Sequence, residues 1–344
     1  MTGVFRFSFG PWNIHEGADP FGPPVRPPLA FEKKLALYRK LGFGAVQFHD
    51  DDAVPGVCDL SARQIATRAQ AVSRMLARHG LKAEFVAPRL WEHPLTVDGA
   101  YTSRDPKARA YARSRSRVSI DIARELGTRL IVLWLAREGT YIREAKDAKE
   151  AVDRLVEAID DMLSYDRNIR IAIEPKPNEP MDQAYLPTAG HAIALAFRTS
   201  DPDRVGVNIE SAHAILAGLD PSEEMGFALS FGKLMSVHLN DQNGLKFDQD
   251  RTFGAVDLRR AFNQVRILDR HGYGRDGQWV GLDVKALRTQ KADTATRHLS
   301  NSRELFLRLL DVSRSLDERK LAWLIRKRDD EAVDRMILRA LMGG

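Results

Sequence analysis

Leu234 to Asp250 reads LMSVHLNDQNGLKFDQD. Its opening run, Leu234–Leu239, is short, mostly apolar and of strand length, and it delivers a histidine, His238. A polar loop then presents Asp248 and Asp250 one residue apart. Alternate residues of an extended segment point the same way, so these two carboxylates can close on one cation. Carboxylate plus imidazole suits a hard or borderline divalent metal. The segment reads as a buried strand that ends in a chemically active loop, and the fold depends on how often the chain repeats that arrangement.

Working outward, strand-like runs fall at Phe5–Gly10, Ala45–His49, Ala83–Ala87, Leu130–Leu133, Ile169–Ile173, Val205–Asn208, Leu234–Leu239 and Trp279–Leu282. Helical patterns lie between them, at Phe31–Leu41, Ala62–Arg78, Pro106–Leu126, Ala148–Leu163, Thr188–Phe197, Val256–His271 and Ala292–Val312. Eight strands, nearly all followed by a helix, predict an α/β chain folded as a (β/α)8 TIM barrel. A doubly wound sheet would need no eighth strand and usually carries a glycine-rich first turn, and Gly272-Tyr273-Gly274 is too weak a match. Residues 1–313 are assigned to the barrel and 314–344 to a helical C-terminal extension. That tail has apolar residues at Val333, Met336, Ile337, Ala340 and Leu341, a spacing that buries one face on the barrel or on a neighbouring subunit. The proline-rich stretch from Asp19 to Leu29 reads as a stiff loop.

Composition narrows the function classes. The 344 residues are 44% hydrophobic and 29% charged, ordinary for a soluble globular protein. The net charge is +5, but 52 lysines and arginines are interspersed with 47 acids, with no basic block that would track nucleic acid. One cysteine, Cys58, excludes an intrachain disulfide and suits a reducing compartment. No signal peptide or membrane span is read, so the expected location is cytoplasmic.

Barrel enzymes place their chemistry at the C-terminal ends of the strands. Here those ends lead in order to Trp12; to His49 with Asp50, Asp51 and Asp52; to Trp91; to Trp134; to Glu174 and Lys176; to Glu210 and His213; to His238, Asp248 and Asp250; and to Asp283 with Lys285. The arithmetic supports two divalent ions. Glu174, Glu210, His238 and Asp283 make one four-point set, and Glu210 can bridge to a second completed by His213, Asp248 and Asp250. An oxygen-rich set argues for Mg or Mn, and two imidazoles pull toward Mn or Co.

Five segments carry a resemblance: Phe48–Asp52 (FHDDD), Trp134 with Arg137-Glu138-Gly139, Ile173–Pro180 (IEPKPNEP), Val207–His213 (VNIESAH) and Gln242–Asp250 (QNGLKFDQD). Together they resemble the D-xylose isomerase family, and its shorter, actinobacterial type more closely. The likeness runs from about Phe5 to about Val312. It implies a (β/α)8 barrel that interconverts an aldose and its ketose, D-xylose and D-xylulose first, with two divalent metals (Mg, Mn or Co), as a homo-oligomer, tetramer or dimer. It implies that His49, supported by Asp52, assists sugar-ring opening and that Lys176 donates to the carbonyl oxygen at C1. Glu174, Glu210 and Asp283 are implied for the metal that grips substrate oxygens, and Glu210, His213, Asp248 and Asp250 for the second. Trp12, Trp91 and Trp134 would wall the sugar, and Phe21 would complete a neighbouring subunit's pocket. Polarising groups beside a dry wall favour a hydride shift over proton exchange.

The chain departs from that pattern at several points. His238 stands where the family has aspartate, an exchange reminiscent of L-rhamnose isomerases that leaves L-rhamnose or another aldose open as substrate. Asp241 stands where glycine is usual, Trp91 where phenylalanine is more common, and Arg89, in the pocket region, where a smaller polar residue is usual. The tail is also short. Other classes fit parts of the pattern. A barrel nuclease would leave Lys176 and the tryptophans without a job, a one-metal epimerase would leave Asp248 and Asp250 surplus, and an inactive sugar-binding homologue is conceivable because of His238.

Overall fold

The computed structural model describes residues 5–245 and 247–343; Lys246 of the QNGLKFDQD loop, the first four residues and Gly344 lie outside that range. The short apolar runs cannot satisfy their backbone alone, and each pairs in parallel with the next. Strands Phe7–Phe9, Ala45–His49, Lys82–Ala87, Leu130–Trp134, Arg170–Glu174, Val205–Glu210, Leu234–Leu239 and Val280–Leu282 close into one barrel. The eighth strand pairs with the first, Phe7 opposite Val280 and Phe9 opposite Leu282. This is the predicted (β/α)8 barrel, with every predicted strand in place.

The helices follow from their stripes and caps. Ala62–Arg78 buries Ile65, Ala69 and Leu76 on one face, and the Ser61 side chain accepts the Gln64 N–H at its start. Phe31–Leu41 and Pro106–Leu126 each end at a glycine in the left-handed conformation, Gly42 and Gly127, where a side chain would be strained. Two helices after the sixth strand, Ser211–Leu216 and Pro221–Ser230, were not expected, because Gly218 and Pro221 break the periodicity between them. A two-stranded antiparallel ribbon, Gly139–Thr140 with Gln183–Ala184, is too short to leave a pattern at all.

After Arg297–Ser315 the chain forms two more helices, Glu318–Lys327 and Asp330–Met342. They fold back on the chain's own barrel. Ile337 is buried, and Met336, Ala340 and Leu341 pack on the core. Arg266 pairs with Glu318 at 2.7 Å and Arg259 with Asp334, tying the tail to helix Leu258–Arg270.

Register positions the rim. Trp134 lies level with Glu174, and Glu210 level with His238. Gly281 lies beside His238 in the next strand. A Cβ on Gly281 would run into Gln47 Nε2 and stand 2.5 Å from the Val237 carbonyl and 3.1 Å from the His238 ring, so the packing between these strands calls for glycine and leaves the imidazole its place.

Candidate active site

The acidic residues at the strand ends converge. Ligand atoms of Glu174, Glu210 and His213 lie within 4.8 Å of one another, as do those of Glu210, His238 and Asp283, and those of Glu210, Asp248 and Asp250. Glu210 belongs to all three groups. His238 Nδ1 is 3.2 Å from Glu174 Oε2 and 3.6 Å from Glu210 Oε2. His213 Nε2 is 2.9 Å from Asp248 Oδ2 and 3.3 Å from Glu210 Oε1.

Three asparagines hold these carboxylates, and sequence reasoning missed all three. Asn208 Nδ2 donates to Glu174 at 2.6 Å. Asn240 Nδ2 donates to Glu210 at 2.9 Å and to Asp250 at 3.3 Å. Asn13 Nδ2 donates to Asp283 at 2.8 Å, beside Trp12 Nε1 at 2.9 Å. A signal was present: Asn208 is two residues before Glu210 and Asn240 two after His238, which is same-face spacing in a strand. Such partners fix ligand orientation. Asp241 has a different task, accepting the N–H groups of Val256 and Asp257 at 2.7 and 3.0 Å ahead of helix Leu258–Arg270.

Charge in the cluster is crowded. Burial is the largest single influence on Glu174 and would raise it, but the charge and close contact of His238, the His213 charge and the Asn208 amide together bring it down to about 2. Burial pushes Glu210 up to about 8, helped by Asp248 and opposed by His213. Burial and the Asp248 charge hold Asp250 well above the usual carboxylate range. Burial alone would lower both imidazoles, yet Glu174 raises His238 and Glu210 raises His213. Protons therefore do the neutralising here, in positions a cation can take.

The donor set fits a divalent metal. Both ring nitrogens of His238, His213 Nδ1 and Asp248 Oδ1 are buried with no hydrogen-bond partner among the described residues. Buried lone pairs facing carboxylate oxygens need a shared proton or a cation between them.

Two lysines complete the floor. Lys176 Nζ pairs with Glu179 at 2.9 Å and Asp248 at 3.1 Å, rather than with Glu174, and lies 5.2 Å from the Trp134 ring. Lys285 Nζ pairs with Asp250. Burial would lower Lys176, but Asp248 and Glu179 raise it; Asp250 is the main cause that raises Lys285.

The aromatic residues form one wall. Trp12 lies 4.3 Å from the His49 ring, His49 5.2 Å from Trp91, and Trp91 4.5 Å from Trp134, centroid to centroid. His49 Nδ1 is 2.9 Å from Asp52 Oδ2. The three adjacent aspartates have separate duties. Asp50 binds Arg115 and Ser119, Asp51 accepts from Arg89 Nε at 2.8 Å, and Asp52 faces His49. Arg89 also lies 3.1 Å from Glu92 and 2.8 Å from His49 Nδ1, so acids already surround it. Glu138 accepts the N–H groups of Ala100, Tyr101 and Thr102 at 2.8–3.0 Å and serves the loop, not the cavity.

The convergent ligands, both lysines, the three tryptophans, His49 and Arg89 face a cavity of about 920 Å3, which every sequence-predicted site residue but Asp52 lines. Asp52 reaches it through His49. Phe21 stands at the cavity mouth, 85% exposed, and does not pack on its own barrel.

Residues 35–304 match the family described as "Xylose isomerase-like TIM barrel". Among solved structures, a D-tagatose 3-epimerase-like protein superposes with a TM-score of 0.64 at 15% identity, over 90% of this chain and 98% of that one. The IolI protein with a bound zinc atom gives 0.61 at 17%, over 90% and 100%. An AP endonuclease, family 2, from Brucella melitensis gives 0.59 at 17%, over 85% and 97%. At such identities the likeness is one of fold.

Proposed function

The chain belongs to the xylose isomerase-like TIM-barrel family, and from that premise we propose that it is a metal-dependent aldose–ketose isomerase, with D-xylose to D-xylulose the first reaction to test. The observation that carries the reading is Glu210, one buried carboxylate shared among three groups of convergent ligands. In this proposal Glu174, Glu210, His238 and Asp283 hold one divalent ion, and Glu210, His213, Asp248 and Asp250 hold the other. When bound, the ions polarise the sugar's carbonyl and adjacent hydroxyl.

The chain's own groups supply the rest. Lys176, charged and buried, donates to the carbonyl oxygen at C1. His49, with Nδ1 against Asp52, has its other ring nitrogen to serve ring opening. Trp12, Trp91 and Trp134 keep water from the reacting carbons, which favours a hydride shift from C2 to C1. We further propose a homo-oligomer, dimer or tetramer, in which the exposed Phe21 meets a neighbouring copy.

The test is a panel of aldoses, L-rhamnose included, with chelator-stripped enzyme refilled with Mg, Mn or Co. Ketose formation without solvent deuterium at C1, lost in Glu174→Gln and Glu210→Gln, is expected. Wild-type rates in either variant, or early solvent deuterium in the product, would defeat the assignment.

A second reading has its own observation. Lys285 and Lys176 already neutralise Asp250 and Asp248, which favours a single ion at Glu174, Glu210, His238 and Asp283 and a C3 epimerase. One equivalent of metal per chain and a C3-epimeric product would select it; two equivalents and an aldose-to-ketose conversion would exclude it.

A further inference from the structure

The cavity has more room and more positive charge than a neutral pentose uses. Its volume of about 920 Å3 lies near the top of the roughly 300–1,000 Å3 that enclose drug-sized ligands. Six arginines and lysines line it against seven carboxylates, a balance of minus one. Two divalent ions would take that balance to plus three, and one ion to plus one. Counted on the lining alone the balance is positive once an ion is present, with the three acids that hold Arg89 standing behind that lining.

Most of that positive charge is already engaged. Lys176 and Lys285 are paired with acids of the cluster. Arg89 lies among Asp51, Asp52 and Glu92. Arg288 holds the carbonyls of Gly17 and Pro23 and faces Asp19 at 3.8 Å. Two guanidiniums remain without a carboxylate within ion-pair distance among the described residues, Arg137 and Arg251. Arg137 donates through Nε to the Trp91 carbonyl at 3.3 Å, and it lies in a segment that resembles D-xylose isomerases. Arg251 lies just beyond the resembling QNGLKFDQD segment. Its backbone is fixed by a reciprocal pair of hydrogen bonds with Asp241, at 3.0 and 3.1 Å, which holds it directly after Asp250. Both side chains are half-buried, where charge pairing is worth more than in open water.

We propose that the substrate is an anionic sugar, bearing a phosphate or carboxylate at the end remote from the reacting carbons, and that Arg251 reads that charge. The inference rests on the sugar-isomerase reading for its substrate skeleton, but the charge argument needs only the cavity. A planar guanidinium with free donors binds either oxyanion through paired hydrogen bonds.

The test is calorimetric binding to the metal-loaded protein of three unreactive polyols: an alditol, its terminal phosphate and the matching aldonic acid. The charged polyols are expected to bind at least about tenfold more tightly than the neutral one. The larger of the two gains identifies phosphate or carboxylate. Arg251→Gln should cut the charged-to-neutral ratio at least about fivefold, with Arg251→Lys between the two. A ratio near one in the wild type overturns the proposal, as does a ratio unchanged in Arg251→Gln, which would mean that the metals alone attract the anion. If the ratio behaves as expected but no sugar is isomerised, the isomerase reading fails and the anion site stands.

Discussion

At the scale of single residues, His238 exchanges a charge for a ring. Its imidazole fits because Gly281 leaves space beside it, and it lies against two buried carboxylates, Glu174 and Glu210. Removing one negative charge from an oxygen-rich set should weaken Mg relative to Mn or Co. His238→Asp is therefore expected to shift the Mg-to-Mn affinity ratio toward Mg by about tenfold, read by metal titration of the stripped protein. An unchanged ratio would mean that the ring plays no part in metal choice. Replacing Asn240 tests the layer behind the ligands. Asn240→Ala leaves both Glu210 and Asp250 without its amide, and metal affinity should fall about 10- to 100-fold. A loss under twofold would assign Asn240 to packing alone.

At the scale of elements, the site depends on parallel register and on the loops that brace it. The loop after the first strand carries Asn13, whose amide holds Asp283 and whose carbonyl meets His298 Nε2 at 2.9 Å, from helix Arg297–Ser315. His298 is buried, and burial is the main reason its pKa falls to about 4, against the pull of the Asn13 carbonyl. The unfolded imidazole titrates near 6.5. Between those values the unfolded chain binds a proton that the folded chain does not. Stability from burying this neutral ring is thus full above about pH 6.5 and is lost as the pH falls toward 4, by at most about 3 kcal/mol. Chemical denaturation at pH 7 and pH 5 should show that loss in the wild type and a smaller one in His298→Gln, whose amide can still donate to Asn13. An equal acid loss in both would place the sensitivity elsewhere.

At the scale of the whole molecule, five barrel strands and the loops that follow them contribute ligands or their partners to one cluster, so metal binding and folding are coupled. Metal held at about a hundredfold above its dissociation constant adds about 2.7 kcal/mol of stability. Chelation should lower the melting temperature by about 5 °C in the wild type and by much less in Glu210→Gln, measured by scanning calorimetry. Equal shifts in both would show that the ion stabilises the protein from another place. The C-terminal helices settle on the barrel through Ile337 and the Arg259–Asp334 and Arg266–Glu318 pairs, which leaves Trp323 and Ile325 exposed. Among the described residues, no helix is long and apolar enough to cross a membrane.

The sequence by itself determined the barrel, because alternation of short apolar runs with amphipathic helices is a local property and eight parallel strands have few ways to close. It also determined most of the residues that stand at the rim, since they follow the strand ends that the same pattern sets, although Asp50 turns away to Arg115. Only the tertiary structure decided the partners. That Glu210 is common to three ligand groups, that Lys176 answers Asp248 and Glu179, that Arg89 is taken up by three acids while Arg251 has none among the described residues, and that Asn13, Asn208 and Asn240 hold the ligands all depend on distances between strands far apart in the chain. A residue's type fixes what it can bind. Its neighbours across the barrel fix what it does bind, because charge and hydrogen-bond energies in a buried site fall off over a few ångströms that sequence order does not encode.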